Sequence, residues 1–138
     1  MSRKFIFDVD GTLTPSRGKM NPEFKEFFLG FMKREPCFLV TGSDYPKTVE
    51  QVGAEVTENV ACVYNCSGND VFFQGKRVHS NGFTLPSDLK AFLQEWLASS
   101  KFYLRTGNHI EERKGLVNFS VVGRNAKPEQ RKEYVKHD

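Results

Sequence analysis

The sequence predicts an α/β fold, with a parallel sheet core followed by a smaller region that combines an antiparallel sheet with helices. In the first half, short apolar runs alternate with helix-like segments, which is typical of βαβ units and a parallel sheet. Residues 116–123 instead alternate apolar and polar side chains, as in an antiparallel strand with one solvated face. Ser80-Asn81-Gly82 is the candidate linker, so we expect domains at residues 1–80 and 83–138.

Composition indicates a folded protein of about one ordinary domain. The 138 residues are 27% charged and 38% apolar, and the net charge of +3 suits a small anionic substrate without indicating nucleic acid. The three cysteines lack the paired spacing of a disulfide framework or zinc site, which favours a reducing compartment. With no signal-peptide pattern and no apolar run of membrane-spanning length, we expect a cytoplasmic protein with no membrane or nucleic-acid partner.

The first elements are a strand at residues 4–7 and a helix that begins after Asn21. Asn21 is a favourable N-cap, and Pro22 is suited to the first helical position. Four phenylalanines then recur at helical spacing, which predicts a core-facing stripe made of Phe24, Phe27, Phe28 and Phe31.

The same periodicities place the remaining elements. In order, we expect strands at 37–40 and 61–64 joined by a short helix, a hairpin over 71–79, an amphipathic helix over 85–97, a candidate strand at 101–105, a strand at 116–123, and a last helix opening at Lys127-Pro128.

Two carboxylates follow the first strand at once. Asp8 and Asp10 end the apolar run, and Gly11 and Thr12 break the strand pattern after them. Ligands of open α/β sheets bind at the carboxyl ends of the strands, so both acids should lie in one crevice there. Two close carboxylates suit Mg2+, or a nucleophile beside a general acid/base. The alternative is a strand-end turn in which aspartate only makes local hydrogen bonds.

A second polar segment, Thr41-Gly42-Ser43, follows the second strand. Hydroxyl groups and backbone N–H groups between a strand and a helix can hold a phosphate, and this segment should share the crevice of Asp8. The alternative is that Ser43 or Asp44 only caps the next helix.

Three arginines lie in the second half. Arg113 and Arg124 flank a strand and Arg131 lies on the last helix, so all three could converge on one anion such as a phosphate. Spacing alone favours the alternative of ordinary surface charge, paired with Glu111, Glu112 and Glu129.

These motifs resemble a known family. The D-x-D-G-T stretch at residues 8–12 is similar to the first motif of the haloacid dehalogenase superfamily. Within that superfamily, Gly42-Ser43-Asp44-Tyr45 and Glu50-Gln51-Val52-Gly53 resemble the eukaryotic-type phosphomannomutases. So does the segment from Arg113 to Arg131, with Asn-x-Ser and Gly-Arg between its ends and the spacing of all three arginines kept.

The resemblance implies a haloacid dehalogenase-like core with an α+β cap, and an activity. Asp8 would be the phosphorylated nucleophile and a Mg2+ ligand, and Asp10 the general acid/base, with its main-chain carbonyl also on the metal. The substrate would be a hexose phosphate of mannose or glucose, its distal phosphate held by Arg113, Arg124 and Arg131 with help from Arg17. The family converts mannose 6-phosphate to mannose 1-phosphate. The alternatives are a sugar-phosphate phosphatase on the same fold, or an inactive truncated fragment that only binds phosphorylated sugar.

Two departures from the family pattern matter. Cys66-Ser67-Gly68 stands where the family has Glu-Asn-Gly, and nothing follows to match its second core segment, which carries a lysine and a further acidic motif. We therefore expect core and cap to be incomplete, with a three-strand parallel sheet that has one uncovered edge. Such a chain would be truncated, would form a homodimer, or would pair with a missing C-terminal segment.

Overall fold

The structure is a computed structural model, and it describes residues 3–137. The chain forms two compact units, with the boundary between Gly82 and Phe83. Across the described residues, no helix combines the length and the apolar character that crossing a membrane would require.

The first unit contains a five-stranded sheet with the strands in chain order. The first three strands are parallel, and the last two form an antiparallel hairpin that continues the sheet beside the third. The strands are β1 (Phe5–Asp8), β2 (Cys37–Val40), β3 (Cys62–Asn65), β4 (Asp70–Phe73) and β5 (Lys76–Ser80). The helices are α1 (Pro22–Met32), α2 (Tyr45–Val52) and α3 (Ala54–Asn59).

Helix starts in this unit follow from local capping. Asn21 Oδ1 accepts a hydrogen bond from the backbone N–H of Phe24 at 3.0 Å, and Asp44 Oδ1 accepts one from Lys47 at 2.9 Å. Each side chain satisfies a backbone donor that the first helical turn leaves unpaired. The core forms where the helices cover the sheet, around Val9, Phe28, Leu39, Val52, Val56 and Val63.

The sheet is wider than the sequence analysis expected. The three expected parallel strands are present, but the sheet does not end with them, because the hairpin pairs with β3 and extends the sheet to five strands. Within residues 3–137, β1 pairs only with β2, so β1 lies at the edge of the sheet.

The phenylalanine stripe of α1 is only partly core. Phe28 is 2% exposed and Phe31 packs against the core, whereas Phe27 is 62% exposed. Consecutive residues are turned by about 100° around a helix, so Phe27 lies on the margin of the face that Phe28 buries.

The second unit pairs a small antiparallel sheet with two helices. The elements are α4 (Ser87–Ser99), β6 (Ile110–Arg113), β7 (Leu116–Phe119) and α5 (Pro128–His137). Ile110 pairs with Phe119 and Arg113 with Leu116, which leaves Lys114 and Gly115 as a two-residue turn. A separate buried cluster contains Phe102, Val121, Val122 and Ala126.

Of two strands predicted for this unit, one is absent and the other is shorter than expected. Residues 101–105 form no strand, and the Arg105 guanidinium instead donates to main-chain carbonyls, including that of Ser100 at 3.0 Å. The strand predicted to reach residue 123 ends at Phe119. Beyond it, Val121 and Val122 are both buried, which the alternating faces of a half-solvated strand do not allow. The expected α/β core sheet and the second, antiparallel sheet are both confirmed.

Candidate active site

The ends of β1 and β2 bring the first predicted site residues to one edge of the sheet. Asp8 is the last residue of β1 and is exposed. In the parallel register Asp8 pairs with Val40, the residue directly before Thr41. Asp8 and the Thr41 segment therefore lie at the carboxyl ends of neighbouring strands, where ligands of open α/β sheets bind.

Asp10 is held in one orientation by two N–H donors. Its Oδ1 accepts hydrogen bonds from the backbone N–H of Arg17 at 2.5 Å and from Nε2 of Gln51 at 2.8 Å. Arg17 adopts a left-handed backbone conformation with φ of 60°, which turns the loop back over Asp10. The loop after β1 thus gathers Asp10 and Arg17, while the Arg17 side chain remains exposed.

The Thr41-Gly42-Ser43 segment is a loop tied to its neighbours through the backbone. Thr41 Oγ1 accepts a hydrogen bond from the Ser43 N–H at 3.1 Å, and the Thr41 carbonyl accepts one from Ser67 at 3.0 Å. A Cβ atom placed on Gly42 would meet nothing within 4 Å, so this side of the loop is open. Of the two predicted helix caps, Asp44 makes the capping hydrogen bond.

The donor set at β1 fits a magnesium ion that is only partly held by protein. Among residues 3–137, no group of three or more His, Cys, Asp and Glu side chains is arranged to hold a metal. Mg2+ is usually bound through one or two carboxylates, with phosphate oxygens and water completing its shell. The exposed Asp8 carboxylate suits that role. Both N–H donors bind Oδ1 of the Asp10 side chain.

In the second unit, one glutamate holds two of the three predicted arginines. Oε2 of Glu111 lies 3.0 Å from Nη2 of Arg113 and 3.2 Å from Nε of Arg124, and it accepts a hydrogen bond from Asn118 at 3.1 Å. The arginine side chains are 14% and 23% exposed, so they are not freely solvated surface charges. Burial acts to raise the pKa of the Glu111 carboxyl, but Arg113, Arg124 and Asn118 together lower that pKa below its usual value.

The third arginine joins this group through the backbone. Arg131 Nη2 donates to the main-chain carbonyl of Arg124 at 2.9 Å, and its Nε donates to that of Ala126 at 3.0 Å. Arg131 is therefore linked to the backbone of Arg124, whose side chain shares Glu111 with Arg113. Pairing with Glu111 accords with the surface-charge alternative, but Glu112 pairs with Lys90 instead.

The predicted site residues thus form two groups, each within one unit. The strand-end group contains Asp8, Asp10, Arg17 and the Thr41-Gly42-Ser43 loop, and the arginine group contains Arg113, Arg124 and Arg131. The sequence analysis assigned no contact to Gln51 and treated Glu111 only as a surface partner. Their sole signal was their position inside segments that resemble the family.

Comparison with known proteins identifies relatives of this chain. The sequence model of the family described as eukaryotic phosphomannomutase matches residues 24–138. The chain is 34% identical to a phosphomannomutase of Galdieria sulphuraria, over 96% of this chain and 55% of that protein. It is 35% identical to phosphomannomutase 1 of Mus musculus, over 96% and 54%.

The fold has a solved counterpart as well. A haloacid dehalogenase-like hydrolase from Bacteroides thetaiotaomicron superposes with a TM-score of 0.54 at 17% identity, covering 80% of this chain and 39% of that one. The chain spans about half the length of the curated relatives that it matches. On the match of the family model and the identity to these relatives, the chain belongs to the eukaryotic phosphomannomutase family.

Proposed function

We propose that this chain takes part in Mg2+-dependent phosphoryl transfer on a hexose phosphate, converting mannose 6-phosphate to mannose 1-phosphate. The observation that carries the proposal is the exposed Asp8 at the end of β1, two residues before an Asp10 that two N–H donors hold in place. A nucleophile next to an oriented acid/base is what transfer through an aspartyl-phosphate requires.

The proposed reaction uses the two aspartates in turn. An oxygen of Asp8 forms a bond to phosphorus, the bond from phosphorus to the sugar oxygen breaks, and Asp10 gives that oxygen a proton. In the reverse sense, Asp10 takes the proton from the accepting sugar hydroxyl, which attacks the phosphorus and frees Asp8. A bound Mg2+ would supply positive charge that offsets the repulsion between carboxylate and phosphate. The space beside Gly42, where an added Cβ would meet nothing within 4 Å, and the neighbouring Thr41 and Ser43 groups are suited to contact the transferred phosphoryl group.

We assign the other phosphate of the sugar to Arg113, Arg124 and Arg131. The support is that Arg113 and Arg124 share Glu111 and that Arg131 bonds the backbone of Arg124, because arginines that are already held near one another need little reorganisation to bind phosphate oxygens. An arginine group that recognises only the phosphate can bind either end of a bisphosphorylated sugar. The sugar can therefore rotate in the site between the two phosphoryl transfers. Arg17, exposed in the loop after β1, would assist from the strand-end group.

Two other functions make different predictions from the same residues. A sugar-phosphate phosphatase would pass the phosphoryl group from Asp8 to water. An inactive binding fragment would hold the hexose phosphate through the arginines without turnover.

The decisive assay supplies mannose 1-phosphate with and without a hexose 1,6-bisphosphate and follows both isomerisation and phosphate release. We expect isomerisation that depends on the bisphosphate, and its loss by at least about 100-fold in Asp8→Asn, because the nucleophile is removed. Asp88→Asn, a substitution on the exposed start of α4, is the matched control. Phosphate release without isomerisation would favour the phosphatase, and activity that survives in Asp8→Asn would contradict the proposed nucleophile.

We further propose that additional polypeptide covers one face of the sheet in the first unit. The support is a cleft of about 400 Å3 on one sheet face, lined by Ile6, Phe38, Val40 and Tyr64 among others. Ile6 is 70% exposed there, and the helices pack against Phe5, Phe7 and Leu39 on the opposite face. The occupant that we propose is a segment equivalent to the part of the relatives that this chain does not span; a homodimer is the competing outcome.

We also place this activity in the cytoplasm. Cys37 and Cys62 are free thiols, a state that reducing compartments maintain. Recovery of the protein in a secreted or oxidised form on cell fractionation would contradict this assignment.

A further inference from the structure

One buried side chain outside the predicted site contacts the proposed acid/base directly. Gln51 lies in the last turn of α2 and is 2% exposed. Its Nε2 donates to Asp10 Oδ1 at 2.8 Å, a contact between residues 41 positions apart, and lies 3.4 Å from Thr14 Oγ1. Its Oε1 is buried and has no hydrogen-bond partner among residues 3–137.

Stability alone does not explain a glutamine at this position. A buried acceptor that protein does not satisfy costs about 1–3 kcal/mol, and each one in a native structure calls for an explanation. A methionine would fill the same space without burying that acceptor. The arrangement makes sense if the N–H group facing Asp10 is what the site needs.

The same residue also fixes the other end of the loop that carries Asp10. The Gln51 carbonyl accepts a hydrogen bond from the Met20 N–H at 2.7 Å. The end of α2 therefore holds the loop after β1 at two points. Both donors to Asp10, Nε2 of Gln51 and the Arg17 N–H, bind Oδ1, which leaves Oδ2 outside these two contacts.

We propose that Gln51 is a positioning residue that holds the Asp10 carboxylate in one orientation, with Oδ2 presented to the sugar oxygen that gains or loses the proton. The inference rests on the proposed function of Asp10 as acid/base. It adds to that function a dependence on α2, because a displacement of the helix end would turn the carboxylate.

Two phosphate esters separate positioning from general damage. The sugar oxygen of mannose 1-phosphate is a poor leaving group that needs a proton. The leaving group of 4-nitrophenyl phosphate departs as the stable 4-nitrophenolate anion and needs none. In Gln51→Met we expect kcat for mannose 1-phosphate to fall about 10- to 100-fold, with KM within about twofold. The rate of nitrophenol release in a single turnover should stay within about threefold. Val52→Ala, which removes buried methyl groups from the same helix, is the control for structural damage and should alter both substrates alike.

A second readout does not depend on turnover. In 15N spectra of the full chain, the side-chain NH2 signals of Gln51 should exchange slowly with solvent and should move or broaden in Asp10→Ala. Gln51→Met should unfold at a urea concentration equal to or above that of the wild type.

The outcomes are distinguishable. The positioning role would be overturned if Gln51→Met lowered the rates on both substrates equally. It would also be overturned if the Gln51 NH2 signals exchanged fast with solvent and were unchanged in Asp10→Ala. If the wild-type chain turned over neither ester, the proposed function would fail. The amide signals would still support or overturn the hydrogen bond from Gln51 to Asp10 by which Gln51 positions the carboxylate.

Discussion

A single carboxylate oxygen, Oε2 of Glu111, holds Arg113, Arg124 and Asn118 in the second unit. Without it, the Arg113 and Arg124 side chains, which are mostly shielded from water, would lose the negative charge that they share. Removing one partner of such a pair leaves an uncompensated charge, which costs more than the pair itself contributes. Glu111 is therefore a structural requirement of the arginine group as well as a competitor for any anion that binds there.

This arrangement predicts a pH-dependent stability. Because the folded-state pKa of Glu111 is lowered, its contribution is present above the unfolded-state value and is lost as pH falls through the folded value. We expect Glu111→Gln to cost about 1–2 kcal/mol at pH 7, and progressively less as the pH falls through the lowered folded-state pKa, below which the wild-type carboxyl is also protonated. Urea unfolding followed by Trp96 fluorescence, which reports on α4 of this unit, measures both values.

The control for charge removal is Glu95→Gln on the exposed side of α4. A Glu111→Gln cost that stayed constant from pH 7 to pH 3 would mean that the oxygen acts by shape and hydrogen bonding rather than by its charge.

Residues that a local pattern marks could be selected as site candidates from the sequence, and residues that contact the site only through the fold could not. Asp8 and Asp10 stand out because an apolar strand, two acids and Gly11-Thr12 coincide in one stretch. Gln51 has no such signal, since its partner Asp10 is 41 positions away and only the packing of α2 brings them together. Glu111 was expected to pair with the arginines as surface charge, but its neighbours in sequence do not reveal that one of its oxygens pairs with two arginines that are mostly shielded from water.

At the scale of elements, α1 shows how far periodicity reaches. The spacing of its phenylalanines predicts a helix with an apolar face, and both features are present. It does not predict which rings the sheet covers: Phe28 packs edge-on against Phe7 with ring centroids 5.3 Å apart, whereas Phe27 faces outward. The curvature and placement of the sheet decide that, and they are properties of the assembled unit.

The two neighbouring rings give a matched pair of substitutions. We expect Phe28→Ala to lower the free energy of unfolding by about 3–5 kcal/mol, because it opens a cavity in the core. Phe27→Ala should change it by less than about 0.5 kcal/mol, as is usual for exposed positions. Urea unfolding followed by circular dichroism tests both. Similar costs for the two variants would place Phe27 in an apolar environment and refute the packing described for α1.

Element ends with a cap were predicted well, and segments that exchange hydrogen bonds with loops were not. Asn21 and Pro22 fix the start of α1 by local chemistry. Residues 120–122 look like a strand in sequence, but their backbone pairs with the loop at 106–109, as in the hydrogen bond from the Thr106 N–H to the Val122 carbonyl. The antiparallel hairpin was predicted, yet nothing local indicates that it extends the main sheet beside β3.

For the whole molecule, the sheet of the first unit presents a contrast between its two faces. The alternation of a strand sends Phe5 and Phe7 to the helices and Ile6 to the other side. Parallel sheets are normally covered on both faces, and an exposed apolar cleft of this kind marks an interaction site. An unpaired β1 edge next to it adds backbone groups that can pair with another strand.

If additional polypeptide covers this face, the chain alone should bind a hydrophobic dye such as ANS, and Ile6→Lys should reduce that binding because it places a charge in the cleft.

Co-expression with a polypeptide equivalent to the remaining half of a curated relative should yield a 1:1 complex on size-exclusion chromatography with light scattering, and Ile6→Lys should weaken it at least about tenfold. Val135→Lys, at a residue 74% exposed on α5, is the matched control and should leave the complex intact. A stable homodimer that Ile6→Lys dissociates would assign the face to a second copy instead. A monomer that neither binds the dye nor forms the complex would show that the face needs no partner.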